Sequence, residues 1–349
     1  MKRATLLDVA REAEVSRTAA ARVLLGTGGD HVRVGLAARE RIEAAARRLD
    51  YAPNRLAQQL RGVSSRTIGV ILDTVNAPVM SERVLALEGH ANRMGYRLLI
   101  GQTHGQPETL REYIGDFTGR GVEAVLGLFD LAPGRDERAR SGFGKFRKVV
   151  FHGRPAWRGG FCVRVDTGAA IRAGVDHLLA RGRKRPALAL GNAAGDELME
   201  LRREVFRDQV KRRRRKGLVW DAGEVGSGVT DGGGGIDPAS ETLARGIEAM
   251  VTKGGADAIV ASNDIWATRF ILQLQKSGLR VPEDVAVIGY DNLDIARVVS
   301  PSLTTVDQCH DAYAVAALEL LLDVAAGRRL PLKQRTRTIA PRLIVREST

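Results

Sequence analysis

The apolar residues of the chain follow two different patterns on either side of residue 62. Over 5–50 they recur every three or four positions, which is the spacing of amphipathic helices. From 67 onward, short apolar runs alternate with helical stretches, beginning with the β-branched run "TIGVIL". Alternation of this kind predicts βαβ units and parallel sheets that are buried on both faces. We therefore predict an all-α N-terminal segment followed by a long α/β region.

The N-terminal segment divides into three helices. Thr5 and Asp8 form a capping box in front of the first apolar face. After a tight turn, Ser16 caps a second helix that runs to Leu24, and a third helix covers about 36–49. Two short helices joined by a tight turn and closed by a third predict a helix-turn-helix unit.

The second helix of such a unit enters the major groove of DNA, so the side chains at its start are candidate contacts. Arg17 and Arg22 offer paired donors to guanine edges, and Thr18 reaches a base or a phosphate. Ser16 leaves backbone N–H groups at the helix start that suit a phosphate. We count Thr5, at the start of the first helix, with these four as DNA contacts. The same pattern also fits a small solvated bundle with scattered arginines.

The α/β region covers roughly 280 residues, which is long for a single sheet. Helical stretches are predicted at about 81–94, 106–119, 168–181 and 264–277. They alternate with the strand-like runs "YRLLIG", "AVLGLF", "KVVFHG", "PALALG", "DAIVAS" and "VAVIGYDN". Two α/β lobes, each with its own parallel sheet, are the natural division.

Between the two patterns lies "APNRLAQQLRG" (52–62), which has helical spacing but nothing to pack on. Leu56 and Leu60 share one side of a helix that is otherwise polar, between Pro53 and Gly62. A helix of about nine residues without a core is marginal in water, because nucleation is costly. We expect other molecules to supply the contacts of this segment.

The chain is strongly basic, with a net charge of +13, which favours an anionic partner such as nucleic acid. Residues 1–62 carry 12 Lys and Arg against 7 Asp and Glu, and the run "KRRRRK" (211–216) holds six more cations. That run lies near the end of a predicted helix, where cations are favourable, so a solvated helix terminus explains it better than a nucleic-acid site.

The remaining composition is that of a globular protein, with 44% apolar and 27% charged residues. Two cysteines, Cys162 and Cys309, stand far apart and outside any CxxC or Cys/His cluster, so neither a disulfide framework nor a metal site is predicted. We find no signal peptide and no run of about 18 apolar residues. We expect a cytoplasmic protein with no membrane partner.

Several motifs carry a resemblance to a known family. "TLLDVAREAEVSRTAAARVL" is similar to the opening of the lactose-repressor (LacI/GalR) family of bacterial transcription regulators, and "LDYAPNRLAQQLRG" to the hinge segment of that family. "TIGVIL", "VRVD", "ASNDIWA", "GLRVPEDVAVIGYDN", "PSLTTV" and "PRLIVREST" follow in the family's order and spacing. The resemblance covers essentially the whole chain.

The resemblance implies a role for the hinge in DNA binding. In a symmetric dimer, two hinge helices would fold together over the minor groove only when DNA is present. It assigns Leu60 as the wedge that enters between base steps, with Asn54, Ala57 and Gln58 lining the groove or pairing with the second copy, and it places Leu56 against the N-terminal helices. A homodimer on a pseudo-palindromic operator is the expected assembly, and an ordinary interdomain linker is the alternative.

The resemblance also implies a core like that of periplasmic sugar-binding proteins, with an effector between two lobes. The predicted α/β fold is a helix-turn-helix headpiece (1–52), a hinge (53–63) and a two-lobed core with two parallel sheets (64–349). The predicted boundaries put about 64–165 and 295–327 in the N-lobe and about 166–294 and 328–349 in the C-lobe.

Asp291 and Asp264 would bind vicinal hydroxyls of a sugar, and Arg202 would do the same, although Arg203 and Arg207 are alternatives. Asp291 also ends a predicted strand, at the edge where α/β ligands bind. The other residues assigned to the effector cleft are Asn263, Val79 and Asp166.

Four residues in three core motifs depart from the family pattern. "APVM" puts Val79 and Met80 where two aromatic residues are usual, Val205 replaces a glycine, and Thr167 replaces an asparagine. Two of these three changes lie near the expected cleft, so we expect either an effector that departs from a typical sugar or a weak response to the ligand.

The sequence predicts a transcription regulator, most simply a repressor, without a catalytic site or a cofactor. One alternative is a DNA-binding headpiece fused to a sugar-processing enzyme, but neither GxxxxGK[ST] nor a strand-linked GxGxxG is present, and His152, His177 and His310 lack partners at metal or triad spacing. Another is a secreted solute-binding protein, which fits the lobes but not the basic headpiece.

Overall fold

The structure is a computed structural model that describes residues 4–26, 33–52, 64–73, 78–129, 135–191, 197–223 and 238–349. The chain separates into two compact units, Met1–Ser65 and Arg66–Thr349. The first unit contains the headpiece, and the second is the core.

The headpiece consists of the three predicted helices, α1 (Leu6–Glu12), α2 (Arg17–Leu25) and α3 (Leu36–Arg48). Small and branched side chains from all three fill its centre, including fully buried Val9, Ala20 and Ile42. The small size of these side chains lets short helices approach closely around a core of few residues.

Both predicted caps of the headpiece are present. Thr5 and Asp8 form the complete capping box of α1, and the Ser16 hydroxyl accepts the Ala19 N–H at 3.1 Å at the start of α2. Glu14 in the connecting turn has φ 52°, a left-handed conformation that favours glycine. The tight turn is therefore formed by a residue type that adopts this backbone only at a cost.

Twelve strands occur in the described part of the core. They are β1 (Thr67–Leu72), β2 (Arg97–Gln102), β3 (Ala124–Leu128), β4 (Val149–His152), β5 (Phe161–Val165), β6 (Pro186–Leu190), β7 (Leu218–Asp221), β8 (Ala258–Ala261), β9 (Ala286–Tyr290), β10 (Thr304–Asp307), β11 (Thr336–Ile339) and β12 (Arg342–Ile344).

Helices alternate with these strands, as the pattern predicts. They are α4 (Pro78–Arg93), α5 (Pro107–Gly119), α6 (Arg135–Phe143), α7 (Thr167–Ala180), α8 (Glu197–Arg212), α9 (Pro238–Ile247), α10 (Asp264–Lys276), α11 (Ile295–Val298) and α12 (His310–Ala325). A π-helical segment, Glu248–Lys253, continues α9.

The strands form two six-stranded sheets, one in each lobe. The N-lobe sheet has the order β11-β5-β4-β3-β1-β2 and is parallel throughout, whereas the C-lobe sheet has the order β12-β10-β9-β8-β6-β7, with β12 antiparallel. The strand order reverses between β1 and β3 in one sheet and between β6 and β8 in the other. Ligands of open α/β sheets bind at the carboxyl ends of the strands beside such a reversal.

Each sheet is covered by helices on both faces. In the N-lobe, α4 and α12 pack on one face, and α5 and α6 pack on the other. In the C-lobe, α7 and α8 cover one face, and α9 and α10 cover the other. These layers explain why strands such as β3, β6 and β9 are buried along their whole length.

The sheets divide the chain at other points than the predicted lobe boundaries. β10 pairs with β9 and lies in the C-lobe, although 295–327 was expected in the N-lobe. β11 pairs with β5 and lies in the N-lobe, although 328–349 was expected in the C-lobe. The chain thus passes between the sheets after β5, β10 and β11. Local hydrophobic pattern identifies a short strand but not the distant strand with which it pairs.

Candidate DNA-reading helix and interlobe cleft

The start of α2 presents its polar side chains to solvent. Ala20 is fully buried and fixes the opposite side of the helix against α1 and α3. Arg17 and Thr18 are exposed, and Arg22, one turn further, is half-buried. The Ser16 hydroxyl is occupied by the helix cap. The first turn of α2 therefore has the exposure that a groove-reading helix needs.

Thr5 has a clear structural role within the headpiece. Its hydroxyl donates to Asp8 Oδ2 at 2.7 Å, and its backbone N–H donates to the same oxygen at 2.8 Å. Thr5 is therefore the N-cap of α1, and its contact with DNA stays a prediction. The hinge residues Asn54, Ala57, Gln58 and Leu60 lie outside the described residues.

In the core, Asp291 follows the carboxyl end of β9 and is 7% exposed. Its φ of 112° is unusual for a residue with a side chain, and such strain costs on the order of 1–3 kcal/mol where the surroundings enforce it. Gln308 Nε2 donates to Asp291 Oδ1 at 2.5 Å. Burial raises the pKa of Asp291 to about 6, while the charge of Arg202 opposes that rise.

Arg202 lies close to Asp291 in the C-lobe. Its guanidinium stacks 4.0 Å from the centre of the Tyr290 ring, and its Nη1 donates to the Ser262 carbonyl oxygen at 2.5 Å. Arg202 is 4% exposed, and neither its Nε nor the Tyr290 hydroxyl has a hydrogen-bond partner in the described residues. Arg202, rather than half-buried Arg203, is thus the arginine held beside Asp291, because Arg203 pairs with Glu200 and Asp221.

Asp264 lies beneath the loop that carries Asp291 and has no exposed surface. One oxygen accepts the Leu293 N–H at 2.7 Å, and the other accepts the Thr305 hydroxyl at 2.5 Å. Burial raises the pKa of Asp264 to about 7, against the effect of these hydrogen bonds. With both oxygens occupied, Asp264 is placed to hold the 291–293 loop rather than to contact a ligand.

Three other predicted cleft residues lie at element ends. Asn263 caps α10 by accepting the Trp266 N–H at 2.9 Å, and Asp166 caps α7 by accepting the Ala169 N–H at 2.8 Å. Val79 is half-buried in the first turn of α4. The structure gives the two caps a local role and leaves their contact with an effector as a prediction.

Sequence analysis missed a second polar group, which lies on the N-lobe side. Arg83 of α4 is 3% exposed. Its Nη2 donates to Gln308 Oε1 at 2.5 Å, and its Nη1 donates to His152 Nε2 at 3.1 Å. Through Gln308, Arg83 is connected to Asp291, so a hydrogen-bonded chain joins the two lobes.

A signal for Arg83 is present in the sequence. Arg83, Leu87 and Ala91 are the buried residues of α4 and stand four positions apart, so Arg83 occupies the apolar stripe of its helix. A charged residue on such a stripe is rarely buried without a role. Gln308 carries no comparable local signal, because its importance depends on the passage of the chain from β10 to α12.

Among the described residues, His, Cys, Asp and Glu side chains form no group of three or more that could hold a metal ion. Every helix found in the same part of the chain is too short or too polar to cross a membrane.

Two family descriptions match the chain. Residues 5–54 match "Bacterial regulatory proteins, lacI family", and residues 175–349 match "Periplasmic binding protein-like domain". The first range covers the three headpiece helices, and the second, half of the chain, contains Asp291, Arg202 and Asp264.

Curated relatives align over nearly the whole chain. The HTH-type transcriptional repressor CytR of Escherichia coli (strain K12) is 28% identical over 350 residues, covering 99% of this chain and 96% of the relative. The HTH-type transcriptional repressor PurR of Haemophilus influenzae (strain PittEE) is 26% identical over 356 residues, covering 99% and 98%.

Solved structures share the fold. The Lac repressor dimer bound to operator and the anti-inducer ONPF superposes with a TM-score of 0.80 at 23% identity, covering 99% of each chain. The transcriptional regulator CelR in complex with cellobiose gives a TM-score of 0.65 at 23% identity, covering 99% of this chain and 100% of that one.

Proposed function

Because the chain belongs to the LacI family of bacterial regulatory proteins, we propose that it is a transcription repressor whose operator affinity is set by a small molecule between its lobes. The observation that carries this proposal is a cluster of buried polar groups, Asp291, Arg202 and Arg83, between the sheets of a chain that also has a helix-turn-helix headpiece. Such a cluster has the convergent polar groups of a ligand site. A regulator of this kind acts in the cytoplasm, where its DNA lies.

The headpiece reads the operator with the first turns of α2. Arg17 and Thr18 are exposed there, and Arg22 extends the same side of the helix. Paired N–H donors of arginine match the guanine edge in the major groove. The backbone N–H groups behind the Ser16 cap hold a phosphate and fix the register.

The effector is a sugar or a related metabolite. Asp291 and Arg202 supply an acceptor and a donor at the carboxyl edge of the C-lobe sheet, a pair that suits neighbouring hydroxyl groups. Asp264 acts on the ligand indirectly by holding the Asp291 loop. The cellobiose complex of a regulator with the same fold supports this class of ligand.

The protein acts as a homodimer on a pseudo-palindromic operator. The Lac repressor dimer, which shares the fold, supports this assembly. Two hinge segments (53–63), one from each subunit, would then meet over the central base pairs, and Leu60 would enter the minor groove.

The test is operator binding by the full chain. We expect a labelled DNA fragment from upstream of the gene to bind more tightly than random DNA of equal length. Arg22→Ala should reduce this discrimination by about 1–3 kcal/mol at one base pair of each half-site, and Arg47→Ala, an exposed arginine at the end of α3, is the matched control. Fluorescence anisotropy at fixed salt measures both affinities.

Two results would contradict the proposal. Equal affinity of the wild type for the two DNA fragments would remove the case for a sequence-specific regulator. An equal loss on both fragments in Arg22→Ala would remove Arg22 from the base-reading set and make it a phosphate contact.

A further inference from the structure

Arg83 is a buried cation whose direct partners in the described part of the chain are all uncharged. Gln308 and His152 accept from its two terminal nitrogens, and its Nη1 also lies 3.4 Å from the Met80 sulfur. The guanidinium stacks 4.9 Å from the centre of the Tyr313 ring. Its Nε has no hydrogen-bond partner among the described residues. Burying a cation without a paired anion is costly, so this arrangement needs an explanation.

His152 contributes no negative charge and accepts as a neutral ring. Because arginine only donates, His152 Nε2 is the acceptor, and Nδ1–H donates to the Tyr313 hydroxyl at 3.0 Å. Burial and the charge of Arg83 hold the pKa of His152 well below its usual value. The N-lobe partners of Arg83 that the structure describes therefore do not compensate its charge.

The C-lobe side repeats this arrangement with Arg202. That guanidinium is also buried, is bonded to a carbonyl oxygen and an aromatic face, and has an Nε without a partner in the described residues. Asp291 is the carboxyl group near both arginines, since the charges of both lower its pKa. Two buried guanidinium groups thus lie near one carboxyl group, since Arg83 is linked to Asp291 through Gln308 and Arg202 stacks on Tyr290, the residue before Asp291.

Two other titratable groups lie near these residues, Asp264 and His310. Both oxygens of Asp264 are occupied within the C-lobe, and its charge is opposed by that of Arg346. His310 lies near Arg83 and Asp307, its pKa is lowered by burial, and its two ring nitrogens have no partner in the described part of the chain. Among the described residues, Arg83 and Arg202 therefore each keep a buried Nε–H without a hydrogen-bond partner.

We propose that Arg83 makes the interlobe cleft selective for effectors that carry an anionic group, a carboxylate or a phosphate, held between Arg83 and Arg202. This inference rests on the proposed function of the cleft as the effector site. Arginine binds planar oxyanions through paired N–H donors, and the interaction is strong where water is excluded. Since Arg83 comes from α4 and Arg202 from α8, one anion would be held from both lobes at once.

The first experiment uses oxyanions as probes. Sodium phosphate and sodium acetate are titrated into the full wild-type chain at constant ionic strength kept with sodium chloride, and the Tm of the core is recorded. We expect a saturable rise in Tm with at least one oxyanion and none with chloride alone. Absence of a saturable oxyanion effect would overturn the inference.

The second experiment compares matched metabolites. D-Glucuronate is paired with D-glucose, and D-ribose 5-phosphate with D-ribose, which separates a carboxylate from a phosphate. We expect the acidic member of at least one pair to bind about tenfold or more tightly than its neutral twin in isothermal titration. Equal or tighter binding of the neutral members would contradict the inference.

Variants tie the effect to Arg83. Arg83→Met removes the cation, and Gln308→Glu leaves Arg83 in place but puts a carboxyl group on its Nη2, next to that of Asp291, where the anion of a ligand would bind, so both should abolish the oxyanion effect. The second variant keeps the test valid if the first does not fold. Arg214→Met, in the exposed run 211–216, is the control for non-specific phosphate binding and should keep the effect. Retention of the effect in Gln308→Glu or Arg83→Met, or its loss in Arg214→Met alone, would overturn the assignment.

Operator binding separates this inference from the proposed function. If the wild type binds its operator specifically but the cleft prefers neutral sugars, the selectivity for anions fails and the regulator remains. If specific operator binding is absent, the proposed function fails whatever the cleft binds.

Discussion

Asp264 shows how a single buried carboxyl group can hold the loop of a candidate ligand site from beneath. Its two oxygens join the loop after β9 to Thr305 in β10, and this loop carries the strained backbone of Asp291. Holding such a conformation requires surroundings that over-determine it. Asp264 itself is buried at a cost in free energy, because burial makes its ionised form unfavourable and raises its pKa to about 7.

This cost predicts a pH dependence of stability. The folded pKa of Asp264 lies above the unfolded value, so the folded state holds the proton more tightly and its stability falls as pH rises from about 4 through about 7. Asp264→Asn keeps an acceptor and a donor at this position without a charge. It should therefore lose less stability than the wild type between pH 5 and pH 8, by about 3 kcal/mol.

Urea unfolding followed by tryptophan fluorescence measures this difference. All three tryptophans, Trp157, Trp220 and Trp266, lie in the core. Asp291, whose pKa is raised to about 6, and the histidines with lowered pKa, such as His152, are present in both proteins, so their own titrations cancel in the comparison. Parallel stability curves for the two proteins would show that Asp264 does not titrate in this range.

At the scale of elements, the sequence predicted helices and strands well and their long-range pairing poorly. The sequence predicts the caps of α1 and α2 and the alternation of strands with helices, because these features depend on neighbours within a few residues. Which of the two sheets β10 and β11 join depends on strands far away in the sequence. The predicted lobe boundaries are therefore wrong at these two strands.

The candidate site was predictable only in part for a similar reason. The resemblance to the family brought Asp291 and Arg202 forward, and the structure places them together. Arg83 and Gln308 were missed, because their connection to Asp291 exists only once α4 and the segment between β10 and α12 are packed together. The roles of Asn263, Asp166 and Val79 at the effector stay predictions.

The hinge is the element for which the sequence makes the sharpest claim about DNA. Leu60→Ala should weaken binding to the operator far more than binding to random DNA. Only in a specific complex do the added contacts offset the free energy of unstacking a base step. The substitution should leave the unfolding of the core unchanged. Leu332→Ala is the matched control. Leu332 belongs to the second unit (Arg66–Thr349) and is 70% exposed at its surface, so this variant should bind both duplexes as the wild type does. Anisotropy titrations with operator and random duplexes provide the comparison, and an equal loss on the two would count against a wedge at Leu60.

For the whole molecule, the important feature is how the described residues connect the two lobes. The chain passes between the sheets three times, and the chain of hydrogen bonds from Arg83 through Gln308 to Asp291 adds a side-chain link at the cleft. A ligand that takes over these donors and acceptors would change the relative stability of lobe arrangements. If operator binding depends on that arrangement, ligand and DNA affinity are coupled reciprocally.

The most direct test measures operator affinity with the cleft empty and saturated. A thermal-shift screen of sugars, sugar acids and nucleobases supplies a compound that saturates the core, and anisotropy with the labelled upstream fragment gives the operator Kd in its absence and presence. We predict that saturation changes the Kd by about 5- to 150-fold in the wild type and leaves it unchanged in Asp291→Ala at the same concentration. An operator Kd that stays constant while the compound fills the cleft of the wild type would contradict the account.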